Sequence, residues 1–502
     1  MGVGMGGVSS EVVRGRFVDE RLGPIAEKVE RGERLSIEDG RVLFATPDVW
    51  TVCRLAGLVR DRLHGRRAFY NINRHLNYSN VCALSCKFCE FYRKKDEPGA
   101  YTRDMEYVRG EVRKAVEGGA TEMHCVGGLH PYLPWSYYPE LVGTIRDEAR
   151  KLGSDLHVKA FTAVEIVHLA KIAKVYKVDD RAAGIRWVLS ELKKAGLGSL
   201  PGGGAEVFDD RVHDEAFKGK IRSDVWLDVH REAHELGLNT NATILYGHIE
   251  QRDDRLVHME MLRRAQDRAL ARMGYGEGIK GSRDQGIEGS RNGEEVSRGG
   301  HLGYSGDEGA DVPVVTLTRP GTPLPEEVAF GAGVSRESRD ASRAGGGVDA
   351  KAPATEVAGS GLGPSSGYFQ TIIPLPFVPD GSELERLPGP MGLENLRTLA
   401  VARLMLDNFP HVKAFWIMQT LPMAELMLNS GADDIDGTVV WYDITKVNHG
   451  AGQGATNDHI STHQEVTVPT LKRAIRAAGY VPVERDTVYR EVKRGVGGSW
   501  TV

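Results

Sequence analysis

The chain predicts the α/β class: a (β/α) TIM-like barrel with a helical N-terminal extension and a long disordered insertion. Three observations carry this. Strand-like and helix-like segments alternate seven or eight times, which implies a parallel sheet. A count near eight favours a closed barrel over an open sheet. With 502 residues, 41% of them hydrophobic, there is enough material for one barrel with extensions.

In chain order, residues 1–65 read as a helical extension, with amphipathic runs such as "GPIAEKVERGERL" and "VWTVCRLAGLVRDRL". Candidate strands follow at "AFYNINRHLNY", "EMHCVGG", "LHVKAFT", "GSLPG", "LNTNATILYG", "YFQTIIPLPF" and "VKAFWIMQ", with an eighth near "GTVVWYDI". Between them lie helical patterns such as "EYVRGEVRKAVEGG", "YYPELVGTIRDEARKLG", "SDVWLDVHREAHELG" and "ENLRTLAVARLMLDN". Several end in Gly or Asn, which suit the left-handed residue after a helix. The barrel is therefore expected over 66–273 and 367–450, with a C-terminal extension over 451–502. Residues 274–366 break the pattern: Gly, Ser, Arg and Glu dominate and aromatics are scarce, the composition of disorder.

The bulk properties exclude several function classes. A formal charge of −5 and a pI near 6.4 give no basic footprint for nucleic acid or an anionic membrane. No run of about 18 apolar residues marks a membrane span. The start, "MGVGMGGVSSEVVRGRF", lacks the apolar stretch of a signal peptide, and Gly6 stands where a myristoylation signal needs Ser or Thr. Five cysteines, three of them clustered, do not form a disulfide framework, so a reduced, cytoplasmic location is expected.

The cluster is "NVCALSCKFCEFYRK", with Cys82, Cys86 and Cys89 spaced C-x3-C-x2-C. Structural zinc would need a fourth ligand; His75 is seven residues upstream, while Cys53 and Cys125 are single and remote. Three unrelated buried thiols fit such density poorly. The third reading is a [4Fe–4S] cluster on three thiolates, one iron left open for a non-protein ligand.

With Phe88 in the aromatic position, C-x3-C-x-aromatic-C resembles the signature of the radical SAM superfamily. That resemblance implies S-adenosyl-L-methionine (SAM) on the open iron and reductive cleavage to methionine and a 5′-deoxyadenosyl radical. It also implies a low-potential electron donor such as flavodoxin or ferredoxin. "VGGLHP" resembles the paired-glycine motif that receives the SAM amino group, through Gly127 and Gly128; a plain strand-end turn is the alternative. "NATILYGHIE" is similar to the G-x-I-x-G-x-x-E adenine motif at Gly247 and Glu250, though Thr243 and Leu245 depart from it. In "SLPGGGAEVF", Glu206 is a candidate partner for a ribose hydroxyl, with a mobile glycine loop as the alternative.

These segments, with "HVKAFTAVEI", "IIPLPFVP", "GADDIDGTVV" and "VPVERDTVY", together resemble the aminofutalosine synthase family of the futalosine route to menaquinone, from about Tyr70 to Tyr489 apart from the insertion. The resemblance implies radical addition to the enol ether of 3-[(1-carboxyvinyl)oxy]benzoate, aryl rearrangement and loss of a carboxylate as bicarbonate. A dicarboxylate needs cations or N–H donors, and Lys159, Lys413, His130, His248 and Arg397 are the candidates, each as well suited to a structural place. Glu165 and His248 are the catalytic candidates. Cys125 is expected to be a core residue. Glu90, beside Cys89, is expected to face solvent. The cyclic dehypoxanthine futalosine synthases and deazaflavin-forming synthases share this loop type and stay open as alternatives, with a non-enzymatic zinc protein more distant.

Overall fold

The computed structural model describes residues 18–274, 366–438 and 466–494. The expected insertion lies, but for its end residues, outside the described residues, as does most of "GTVVWYDI". Three helices open the described chain: Leu22–Arg31, Ile37–Ala45 and Val49–His64. The second starts at a capping box in which Ser36 and Asp39 satisfy each other's backbone N–H groups. Asp48 caps the third by accepting from the Thr51 N–H at 3.1 Å.

The strand region "AFYNINRHLNY" forms two strands in line, β1 (Arg67–Asn71) and β2 (Asn73–Asn77), separated only by Ile72. Seven parallel strands follow in sequential order from β2 through β3 (Glu122–Val126), β4 (His157–Ala160), β5 (Leu197–Leu200), β6 (Asn239–Tyr246), β7 (Phe369–Pro376) and β8 (His411–Val412). Sequential parallel order with intervening helices is the right-handed crossover pattern of a barrel wall. A smaller sheet places β1 between β9 (Asp434–Gly437) and β10 (Val481–Glu484). β9 also bonds to the end of β8: Asp433 N donates to the Val412 carbonyl at 3.1 Å, and Ala414 N to the Asp434 carbonyl at 2.8 Å. Since β1 runs into β2, β9 bridges the curled sheet around into a ring.

Two strands differ from expectation. "VKAFWIMQ" is strand only at its first residue; Trp416–Gln419 is a helical turn. Trp416 Nε1 donates to the Gly437 carbonyl at 2.8 Å, which draws the chain off the sheet. The bridging strand is Asp434–Gly437, just ahead of "GTVVWYDI". An acidic run is a poor strand former, but each carboxylate here has a buried cation: Asp433 with Arg403, Asp434 with Arg485 at 2.6 Å, Asp436 with Lys413 at 2.8 Å.

Both ends of the 275–365 segment sit at the N-terminal end of the strands. The helix Arg252–Arg272 closes at Gly274, and Gly367 N donates to the His234 carbonyl at 2.7 Å before β7 begins opposite the start of β6. Among the described residues no helix is long and apolar enough to cross a membrane.

Candidate active site at the C-terminal mouth

β2 delivers the chain into the cysteine loop at the C-terminal ends of the strands, where barrels of this kind carry their chemistry. The loop is held by the Lys94 side chain and by backbone bonds to neighbouring segments. Lys94 Nζ donates to the carbonyls of Cys82, Ala83 and Leu84 at 3.2, 3.3 and 2.9 Å. Lys87 N donates to the Ala216 carbonyl and Ala83 N to the Leu129 carbonyl. Cys82 Sγ accepts N–H groups from Leu84 and Leu129, both at 3.4 Å. Cys82, Cys86 and Cys89 are free thiols, and all three line one cavity of about 700 Å³. Burial pushes the Cys86 thiol up to about 11 and also raises Cys89. Three soft donors on one loop, one already receiving two N–H groups, fit an iron–sulfur cluster with one iron left for another ligand. Cys125 and Cys53 are buried elsewhere in the core.

β3 ends at the paired glycines, and both line the cavity. Their smallness has a local cause. A Cβ on Gly127 would stand 2.7 Å from the Tyr78 ring, and one on Gly128 would clash with the Val81 carbonyl oxygen. The glycines thus let β3 lie directly against the segment that enters the cysteine loop.

Glu165 fixes this junction. It forms a capping box with Thr162, accepting the Thr162 N–H at 2.7 Å, and it also accepts the Tyr78 hydroxyl at 2.8 Å and the Gly127 N–H at 3.1 Å. Burial pushes its carboxyl up to about 7, against the hydrogen bonds from Thr162 and Tyr78 that lower it.

Glu206 lines the cavity with φ of +49° and is paired with the partly buried Lys220. Burial by itself lowers the Lys220 ammonium, but Glu206 and then the Cys86 thiol raise it above the ordinary lysine value. Lys220 Nζ also lies 4.8 Å from the ring of Phe88, which lines the same cavity and meets Phe217 edge-on.

Gly247, Glu250, His248, His130 and Arg397 stand outside the cavity lining. Gly247, at φ +91°, packs on Pro390, and its N–H donates to Glu250 at 2.6 Å. Glu250 is also bonded to the His248 N–H at 2.9 Å and to Arg255 at 2.7 Å. His248 Nε2 lies 3.2 Å from the Leu245 carbonyl, and burial lowers its imidazole. His130 Nδ1 accepts the Tyr132 and Leu133 N–H groups at 3.1 Å each. Arg397 donates to the carbonyls of Leu43, Phe44 and Thr46, tying the N-terminal helices to the barrel. Glu90 does not face open solvent: its side chain is 29% exposed, lies 3.5 Å from Arg93 and packs on Gly381 at the cavity rim.

At the deep end, Lys159 pairs with Glu122 at 2.7 Å and Lys413 with Asp436 at 2.8 Å, and all four line the cavity. The rings of His75 and His124 lie there too, with centroids 4.4 Å apart. Lys220, Glu122, His124 and Asp436 were not reached from the sequence. Strand alternation carried the signal for two of them, because Glu122, His124 and Val126 share one face of β3 and all line the cavity. Lys220 sits in a loop, where no periodicity points inward.

A Radical SAM superfamily profile matches residues 76–262, and one for the CofH/MqnC C-terminal region matches 365–495. The chain is 36% identical to the aminodeoxyfutalosine synthase of Thermus thermophilus over 95% of this chain and 97% of that one. It is 34% identical to that of Streptomyces coelicolor, over 94% of each. A 5-amino-6-(D-ribitylamino)uracil–L-tyrosine 4-hydroxyphenyl transferase of Methanopyrus kandleri is 27% identical over 95% of this chain and 97% of its own. Among solved structures, methylornithine synthase matches with a TM-score of 0.55 at 15% identity, over 91% of this chain and 96% of that one. That likeness is one of fold.

Proposed function

Because this chain belongs to the aminodeoxyfutalosine synthase family of radical SAM enzymes, we propose that it joins the 5′-deoxyadenosyl group of SAM to 3-[(1-carboxyvinyl)oxy]benzoate. The products are 6-amino-6-deoxyfutalosine, methionine and bicarbonate, a step toward menaquinone. One observation carries the reading: a single cavity has three free thiols at its rim and two lysines at its floor. Its volume of about 700 Å³ suits two ligands held end to end.

In this reading Cys82, Cys86 and Cys89 hold the [4Fe–4S] cluster. When bound, the cluster supplies the electron that cleaves the SAM sulfonium and frees the carbon radical for addition to the enol ether. The backbone at Gly127 and Gly128, held by Glu165, orients the SAM amino group. The Glu206–Lys220 pair sits beside the same loop and serves the ribose and carboxylate of SAM. Lys159 at the floor faces the substrate's far end. Gly247 and Glu250 shape the turn under the adenine side without lining the cavity themselves. His248, His130 and Arg397 take structural places: His248 Nε2 meets the Leu245 carbonyl and its Nδ1 lies 3.3 Å from the Glu250 carboxylate, His130 Nδ1 accepts backbone N–H groups, and Arg397 donates to backbone carbonyls.

The test is anaerobic incubation of reduced enzyme with SAM and the enol ether, tracing adenine by mass spectrometry. The expected product carries adenosine covalently. Free 5′-deoxyadenosine as the sole nucleoside product would move the chain to the hydrogen-abstracting relatives.

A further inference from the structure

The deep end of the cavity is balanced in charge before any ligand arrives. Lys159 is matched by Glu122 and Lys413 by Asp436, and Arg485 by Asp434 at 2.6 Å. Among the described residues, the remaining titratable groups there are His75 on β2 and His124 on β3. His75 is faced by Glu122 and His124 from β3, Lys159 from β4, Lys413 beyond β8 and Asp436 from β9. His124 is faced by His75, Glu122, Lys159 and Lys413. Burial keeps both imidazoles neutral at pH 7: it pulls His75 down to about 4, with Asp436 and Glu122 opposing, and it takes His124 well below its ordinary value.

The dicarboxylate brings one of its two negative charges to a floor with no surplus cation among the described residues, and a buried unmatched carboxylate is strongly disfavoured. The orientation follows from the barrel. The vinyl carbon has to face SAM at the thiol rim, and His124 lies three residues, about 10 Å of strand, below Gly127. The far end of the substrate, its ring carboxylate, therefore reaches the floor. We propose that the His75–His124 pair takes up one proton when that carboxylate arrives and serves as its counter-charge. The pair holds one proton and not two, because two imidazolium rings 4.4 Å apart repel. This rests on the dicarboxylate reading above.

The sign follows from linkage. Both imidazoles are neutral in the free enzyme at pH 7 and one is charged in the complex, so binding consumes a proton and weakens as pH rises. The experiment is calorimetric titration of oxidised, cluster-loaded enzyme with SAM present, so that no turnover occurs, using 3-[(1-carboxyvinyl)oxy]benzoate in buffers of different ionisation enthalpy. The expected result is uptake close to one proton at pH 7.5 and a Kd that rises toward tenfold from pH 7 to 8. His124→Gln and His75→Gln, checked for wild-type iron content and circular dichroism, should lose the uptake and flatten the pH dependence. The two variants back each other should one fail to fold. A phenyl enol ether without the ring carboxylate should bind with no proton uptake. Binding without uptake in the wild type, or full uptake persisting in a folded His124→Gln or His75→Gln variant, overturns the inference while leaving the product assay intact. Failure of the enol ether to bind or react overturns both readings.

Discussion

Cys86→Ala should leave the barrel folded and strip most of the iron. The loop is pinned by backbone bonds and by Lys94, none of which uses the Cys86 thiol. Iron analysis beside far-ultraviolet circular dichroism checks this, and an unfolded variant would contradict it. Glu165 gives a pH prediction. Its carboxyl sits near 7 in the folded chain against an ordinary 4.5, so the folded state holds a proton that the unfolded chain has released across that interval. Stability from this site therefore falls as pH rises from about 4.5 to about 7. Glu165→Gln abolishes the titration, so its melting temperature should drop less than the wild type's between pH 5 and 7.5, by roughly 2–4 °C. Parallel melting curves would place the titration on another group. At this scale the thiols were legible from spacing alone. For His130 and Arg397 the sequence leaves a substrate role and a structural one equally open; in the fold His130 accepts backbone N–H groups and Arg397 donates to backbone carbonyls more than 350 positions away. A polar residue in one strand or helix carries no mark of a distant backbone partner.

The β3 strand and its glycine pair link the cysteine loop to the barrel wall. Gly128→Ala drives a methyl group into the Val81 carbonyl, a backbone obstacle that cannot rotate away. The expected cost is about 1–3 kcal/mol, with faster iron loss to a chelator, because Val81 directly precedes Cys82. Unchanged iron retention would show that the two segments move apart without affecting the cluster loop. Most barrel strands were readable from their apolar runs and Gly or Asn borders. β8 and β9 were not, for a physical reason. β8 is two residues long, too short for periodicity. β9 is built from Asp434 to Gly437, and it is buried only because Arg485 and Lys413 arrive from elsewhere in the chain. Local propensity contains no term for those partners.

Across the whole molecule, the two ends are set apart. The thiols, paired glycines and Glu206 gather at the C-terminal mouth, whereas Gly274 and Ser366 meet the barrel at the opposite end of the strands. Replacing 275–365 with a short Gly/Ser linker should therefore hold kcat/KM within about threefold, since the described residues flanking the excision, Gly274 and Ser366, lie at the end of the strands away from the mouth. Steady-state kinetics on the deletion variant decides, and a loss beyond tenfold would mean the segment reaches the chemistry. The sequence marks this segment by composition; only the fold shows on which side it leaves. There is a further consequence for the integrity of the chain. β6 and β7, which flank the excision, are matched residue for residue from Asn241 against Thr371 to Tyr246 against Pro376. Their union is a matter of hydrogen bonds and packing, so a nick between them severs the polypeptide and leaves the barrel wall to hold its two pieces together.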